Sequence, residues 1–178
     1  METIIRPQIA ELTSDEVRLS APLIMNYLKE GNKSNLPQLS IILGPVGAGK
    51  SNYIKNNYSE GYVWIDMARI FFDLQRLSGI RLNRRNEIIN FIGVVTMDLA
   101  LLEKRNIVVE MIGEDLEKID RVIDLMKSHG YDVKITMVNS VDESCFPAPA
   151  QEVYSISENM SSYYTEDFHL DWIEKTAA

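Results

Sequence analysis

The 178-residue sequence has little cysteine, no long apolar run and no excess of positive charge. Its single cysteine, Cys145, excludes an internal disulfide. No apolar stretch approaches the ~20 residues of a membrane-spanning helix. No basic start leads into an apolar run, as a signal peptide would. The net charge of −8 argues against extended nucleic-acid binding. We therefore expect a cytoplasmic, soluble protein.

The composition is that of an ordinary globular chain, with 46% apolar and 25% charged residues. The length suits one domain with a proper core. Within it we expect an N-terminal helix and connector over residues 1–38 and a core over 39–144. A C-terminal loop and helix would complete the domain over residues 145–178.

Helical periodicity alternates with short continuous apolar runs along the chain. Thr13 and Glu16 match a capping box that opens a helix over 13–31. Strands are predicted at 40–43, 62–66, 106–112 and 132–138, with a short fifth strand at 152–156. Further helices are predicted from about residue 49, and over 68–77, 88–102, 116–126 and 165–175. This alternation indicates a three-layer α/β/α fold with a mostly parallel sheet of about five strands.

Residues 40–54, SIILGPVGAGKSNYI, contain the spacing G-x-x-x-x-G-K-S of a phosphate-binding loop. The motif lies between a predicted buried strand and a predicted helix, the context that favours nucleotide binding over a chance match in a turn. Lys50 would neutralise the terminal phosphates of ATP or GTP, and the Ser51 hydroxyl would bind Mg²⁺. The candidate nucleotide-binding residues are Gly44, Pro45, Val46, Gly47, Ala48, Gly49, Lys50, Ser51 and Asn52.

Asp66 and Arg69 follow the second predicted strand as D-x-x-R. Ligands of parallel α/β sheets bind at the carboxyl ends of the strands, where the Asp66 carboxylate can act as a general base toward a hydroxyl. The same residue is equally suited to cap the next helix. Arg69 can bind a substrate phosphate, or it can pair with Asp66 at the surface. Both alternatives stand for each residue at this point.

Glu110 is a charged residue inside the apolar run of the third strand. A buried acid needs a partner, which Mg²⁺ can supply directly or through water. The alternative is a strand-end acid that reaches solvent. A basic connector at 79–87 can close arginines over a transferring phosphoryl group, or it can be a solvated turn between helices. Its arginines are Arg81, Arg84 and Arg85.

The segments GPVGAGKS, YVWIDMAR, NIVVEMIGED and KSHGYDVKITMVNS together resemble the zeta-toxin-like P-loop kinases over residues 40–144. Polynucleotide 5′-kinases share the D-x-x-R. The resemblance implies transfer of the γ-phosphoryl group of ATP or GTP to a hydroxyl, which belongs to a UDP-linked amino sugar in zeta toxins. Asp66 matches the catalytic base of the family, and Lys50 and Ser51 match its phosphate and magnesium residues. Glu110 matches the acid at the end of its third strand.

The sequence departs from this family at the residues that contact substrate. Ile112 and Glu114 stand where zeta toxins carry a threonine and an arginine, and no arginine follows Arg121. Two functions therefore remain as hypotheses. One is a kinase acting on a small nucleotide-like or sugar-nucleotide substrate, with Asp66, Lys50 and Arg69 as its catalytic residues. The other is a nucleotide-dependent binding protein with weak or no turnover. The resemblance leaves room for an antitoxin-like protein partner.

Overall fold

A computed structural model of the chain describes residues 12–76, 84–111 and 116–138. Within these ranges, helices and strands alternate along the chain as the sequence predicts. The helices are α1 (Ser14–Glu30), α2 (Lys50–Asn57), α3 (Met67–Gln75), α4 (Arg85–Leu102) and α5 (Leu116–Ser128). The strands are β1 (Gln38–Leu43), β2 (Val63–Trp64), β3 (Ile107–Met111) and β4 (Asp132–Met137).

The four strands form one parallel sheet in the order β2-β3-β1-β4. The chain crosses from β1 to β2 in one direction and returns through β3 to β4 in the other. Right-handed crossovers therefore place α2 on one face of the sheet and α3, α4 and α5 on the opposite face. The three-layer α/β prediction is confirmed. The predicted fifth strand at 152–156 and the predicted helix at 165–175 lie outside the described residues.

Strand side chains alternate between two apolar clusters, one on each face of the sheet. The larger cluster packs Leu39, Ile41 and Val109 against α1, α3, α4 and α5. The smaller cluster packs Ile42 and Val108 against α2. Because the buried strands carry apolar residues on both faces, they read in the sequence as continuous apolar runs.

The helix boundaries follow local chemistry closely. The capping box of α1 is present: Glu16 N donates to Thr13 Oγ1, and Thr13 N donates to Glu16 Oε2 at 2.7 Å. Strand β2 is shorter than predicted, with two residues in place of the expected run over 62–66. The chain leaves the sheet early because Asp66 already caps α3.

Gly31 fixes the end of α1 against the sheet. It is the C-cap of α1 and forms a parallel bridge with Gly61, just before β2. Its φ of −90° is open to any residue. An added Cβ, however, would lie 2.4 Å from Val63 Cγ2, 2.8 Å from Val63 N and 3.0 Å from Asn106 O. Glycine is therefore needed here for close approach of two backbones.

We expect Gly31→Ala to lower the free energy of unfolding by about 3 kcal/mol, the upper end of overpacking costs, because the nearby backbone atoms cannot move aside. Gly130→Ala is the control. Its φ is +82° and its added Cβ would meet no atom within 4 Å, so only the left-handed conformation costs, by about 1 kcal/mol. Urea unfolding of both variants tests this, and equal losses would contradict the packing argument.

Candidate functional site

The glycine loop (residues 44–51) connects β1 to α2 at the carboxyl edge of the sheet. Its first glycine is held between two neighbouring strands. Gly44 N donates to Met111 O at 3.2 Å, and Val138 N donates to Leu43 O at 2.7 Å. A Cβ on Gly44 would lie 2.3 Å from Val138 O. The loop therefore starts at a point where only glycine fits beside the end of β4.

The N-terminus of α2 is suited to bind an anion. Its N-cap, Gly49, has a φ of +85°, no side chain caps the helix, and its first turn carries no acid. Gly47 and Gly49 face open space, since an added Cβ on either would meet nothing within 4 Å. Backbone N–H groups and the positive end of the helix dipole thus point to an accessible concave loop. Val46 and Asn52 are exposed, whereas Ala48 is buried.

Lys50 lies against the loop that precedes it. Its ammonium group is largely buried and donates to Gly44 O at 2.8 Å and to Pro45 O at 3.0 Å. Both acceptors belong to the glycine loop, so the charge already lies where the predicted phosphates would bind. The ammonium group of Lys50 thus places a compact positive charge at the loop.

Ser51 and Glu110 meet across the gap between α2 and β3. The Ser51 hydroxyl donates to Glu110 Oε2 at 2.9 Å. Glu110 pairs in register with Ile42, so its side chain emerges on the sheet face that α2 covers. Burial, and then the neighbouring Asp66 carboxylate, raise the pKa of Glu110 from 4.5 to about 7. Ser51, Lys50 and Lys55 oppose this rise. The two residues that the sequence assigns to the metal are thus in direct contact.

Asp66 lies beside this pair as the N-cap of α3. Its carboxylate is buried and accepts hydrogen bonds from Ala68 N at 3.1 Å and from Arg69 N at 3.3 Å. The capping alternative raised by the sequence is therefore present in the structure. Asp66 follows β2 at the carboxyl edge of the sheet, and its charge acts on the Glu110 carboxyl. The catalytic-base role stays a prediction.

Arg69 binds a glutamate that the sequence did not suggest as its partner. Its guanidinium forms two hydrogen bonds with the Glu30 carboxylate, one of them at 2.8 Å from Nη1 to Oε2. It also donates to Trp64 O at 3.3 Å. The rings of Tyr27 and Trp64 lie 4.8 Å and 5.4 Å from its central carbon. Its predicted role toward a substrate phosphate stays a prediction.

Three residues around Arg69 were missed by sequence reasoning: Glu30, Tyr27 and Asp73. Tyr27 donates its hydroxyl proton to Asp73 Oδ2 at 2.8 Å, a second link between α1 and α3. Glu30 and Arg69 are 39 positions apart, and Tyr27 and Asp73 are 46 apart. No local spacing rule joins such positions, so no sequence signal could have paired them.

The basic connector is described only in part. Arg84, which precedes α4, forms ion pairs with Glu16, at 3.0 Å, and with Glu87. Arg81 lies outside the described residues, as does the side chain of Arg85. Positions 112 and 114, where the sequence departs from the zeta-toxin pattern, also lie outside them.

The donor set fits Mg²⁺ bound together with a nucleotide. In the described ranges, no three histidine, cysteine, aspartate or glutamate side chains come together as a metal-binding group. A hydroxyl and a carboxylate, Ser51 and Glu110, are in contact. This matches Mg²⁺, which takes one or two protein oxygens and completes its octahedron with phosphates and water.

Comparison with known proteins extends this description. No protein-family model matches the sequence, and no curated protein matches it. One similar solved structure is a chain of the PezAT chromosomal toxin–antitoxin system of Streptococcus pneumoniae. It matches at 16% identity with a TM-score of 0.57, over 93% of this chain and 71% of that chain. The two chains therefore share a fold.

A second similar structure belongs to the Pnkp1/Rnl/Hen1 complex, at 15% identity and a TM-score of 0.43. That match covers 70% of this chain and 40% of the other. None of the described helices is both long enough and apolar enough to cross a bilayer.

The raised pKa of Glu110 predicts a fall in stability with rising pH. Between about pH 4.5 and 7 the folded protein holds a proton that the unfolded chain has lost. The free energy of unfolding of the nucleotide-free protein should therefore decrease across this window, by roughly 1–3 kcal/mol. Glu110→Gln cannot ionise and should lose this decrease.

Urea unfolding at pH 5, 6, 7 and 8, with a chelator present, measures the effect. Glu117→Gln, which alters an exposed carboxyl on α5, is the control and should follow the wild-type profile. If Glu110→Gln and the wild-type protein show the same pH dependence, the Glu110 carboxyl does not titrate in this window.

Proposed function

We propose that this chain binds ATP or GTP with Mg²⁺ at the glycine loop and transfers the γ-phosphoryl group to a hydroxyl of a small nucleotide-like or sugar-nucleotide substrate. One observation carries the proposal. Four polar residues come from three strand ends and converge at one edge of the sheet: Lys50, Ser51, Glu110 and Asp66. These are a cation, a hydroxyl and two carboxylates, the groups that phosphoryl transfer requires.

The glycine loop holds the phosphates in this proposal. Its backbone N–H groups and the N-terminus of α2 bind the phosphate oxygens. Lys50 exchanges its two carbonyl acceptors, Gly44 O and Pro45 O, for phosphate oxygens. Ser51 and Glu110 hold Mg²⁺, which when bound neutralises charge that develops on the phosphates. The protein thus contributes positioning and charge, and little covalent catalysis.

Asp66 acts as the base toward the acceptor. As the acceptor oxygen forms a bond to the γ-phosphorus, the bond from that phosphorus to the β–γ bridging oxygen breaks and the nucleoside diphosphate leaves. The hydroxyl proton passes to the Asp66 carboxylate. Each oxygen of this carboxylate accepts one amide hydrogen bond, and each has a further lone pair to accept another. Capping α3 therefore leaves the group able to act.

A specific observation also favours a second candidate, a nucleotide-dependent binding protein. Arg69 and Arg84 are held by glutamates. An arginine over the transferring group can be worth about 10³–10⁵ in rate. If these two arginines stay paired, nucleotide binding without fast turnover is the expected behaviour. In this candidate function, a protein partner recognises the nucleotide-bound form. The similar PezAT chain comes from a toxin–antitoxin system.

We expect Lys50→Ala to weaken ATP or GTP binding by roughly 10- to 100-fold, because a hydrogen bond to a charged group is worth about 1.5–3 kcal/mol. Isothermal titration calorimetry with Mg²⁺ present measures this. Lys127→Ala is the control, since it removes an exposed lysine from α5, on the opposite face of the sheet from α2. No nucleotide binding by the wild-type protein would reject both candidate functions.

Asp66→Asn separates the two candidates. Asparagine is also a good N-cap, and its Oδ1 can keep the hydrogen bond from Ala68 N, so α3 should keep its first turn; loss of the bond from Arg69 N should cost about 1 kcal/mol. Transfer should fall by about 10²–10⁴ while nucleotide affinity is unchanged, because only the base is lost. The assay follows γ-labelled ATP and GTP with a UDP-linked amino sugar, a nucleoside and a 5′-hydroxyl oligonucleotide as acceptors. Binding without transfer to any acceptor would favour the binding protein, and full activity of Asp66→Asn would remove the base assignment.

A further inference from the structure

Arg69 joins three parts of the fold through one side chain. Its guanidinium binds Glu30, at the last residue of α1, and Trp64 O, at the end of β2. The rings of Tyr27 and Trp64 lie beside it. The pair is partly buried, with 27% of the Arg69 side chain and 34% of the Glu30 side chain exposed. The geometry is bidentate, which fixes the guanidinium in orientation as well as in position.

The backbone of the same residue holds Asp66. Arg69 N donates to Asp66 Oδ2, and Ala68 N donates to Oδ1. Helix α3 has only nine residues, so its first turn is a large part of its length. Its second link to α1, from Tyr27 to Asp73, lies about one turn after Arg69. The orientation of the first turn, and with it the Asp66 carboxylate, therefore depends on how the Arg69 side chain is held.

We propose that Arg69 and Glu30 are positioning residues that hold the first turn of α3 so that Asp66 faces the glycine loop. This rests on the proposed function, in which Asp66 is the base. Glu30 belongs to α1, outside the strand–loop–helix unit that binds the nucleotide, and no part of the phosphate site includes it.

The contacts of Arg69 separate this role from acceptor binding. Its Nη1 donates to Glu30 and to Trp64 O, and its Nη2 donates to the other Glu30 oxygen. Burial alone would lower the pKa of Arg69, but the hydrogen bonds and charge of Glu30 raise it, so the guanidinium stays charged. An acceptor phosphate would have to displace a carboxylate already bound in the fork of the guanidinium.

The test uses Glu30→Ala with Asp73→Ala as its matched control. Each removes one acid that joins α1 to α3, but of the two only Glu30 is hydrogen-bonded to the side chain of Arg69, whose backbone N donates to Asp66. Amide hydrogen exchange of the full chain is the first readout. Glu30→Ala should speed exchange at Ala68 and Arg69, whereas Asp73→Ala should leave these two amides as in the wild-type protein. Unchanged exchange in Glu30→Ala would overturn the proposal.

The second readout is the kinetics of phosphoryl transfer to the acceptor that the labelled-nucleotide screen finds. If no acceptor is found, hydrolysis of γ-labelled ATP by water is the probe. Glu30→Ala should lower kcat by roughly tenfold to a hundredfold, the effect of a misplaced catalytic group, with nucleotide Kd and acceptor KM unchanged. Asp73→Ala should keep the wild-type kcat. A raised acceptor KM at constant kcat in Arg69→Lys, with Glu30→Ala unaffected, would assign Arg69 to acceptor binding and overturn the proposal.

Nucleotide binding and the positioning of Asp66 are tested by separate measurements. If the wild-type protein binds no nucleotide, the proposed function fails, and the exchange measurement still decides whether Glu30 holds the Asp66 cap. If nucleotide binds and transfer occurs but Glu30→Ala has normal exchange and normal kcat, only the positioning role fails.

Discussion

The hydrogen bond from Ser51 to Glu110 is the contact on which the site depends. It joins the first turn of α2 to the third strand, and so ties the glycine loop to the sheet. Its existence follows from register, because Glu110 lies beside Ile42 on the face that α2 covers. A carboxylate in an apolar strand is costly unless it has partners. The hydroxyl of Ser51 and the charge of Lys50 supply them, and a divalent cation would supply more.

Asp66 shows how one carboxylate can serve the fold and the chemistry together. Its two amide hydrogen bonds end β2, begin α3 and fix the carboxylate in space. A base must be positioned before its proton affinity matters, and a helix cap provides that positioning at no further cost in side-chain entropy. The two interpretations of Asp66 that the sequence left open are therefore compatible. In the proposed function, the cap is what holds the carboxylate in place for the acceptor.

Most of the fold was predictable because it depends on local sequence patterns. The capping box of Thr13 and Glu16, the apolar strand runs and the glycine loop each depend on residues within a few positions of one another. The meeting of Ser51 and Glu110 was also predictable, since parallel strand ends share one edge. The partner of Arg69 was not. Glu30 lies 39 positions away, and only tertiary packing of α1 beside β2 brings the two together.

Helix α1 is joined by ion pairs to both helices that flank the basic connector, although it precedes every recognisable motif. At its C-terminal end Glu30 holds Arg69 at the start of α3, and near its N-terminus Glu16 holds Arg84 at the start of α4. The two helices that flank the basic connector are thus fixed to the same element. The sequence suggested Arg69 and Arg84 as ligands for phosphate, but in the structure both bind glutamates of α1. Under the proposed positioning role, the placement of Asp66 depends on a long-range ion pair, and not on the phosphate-binding motif alone.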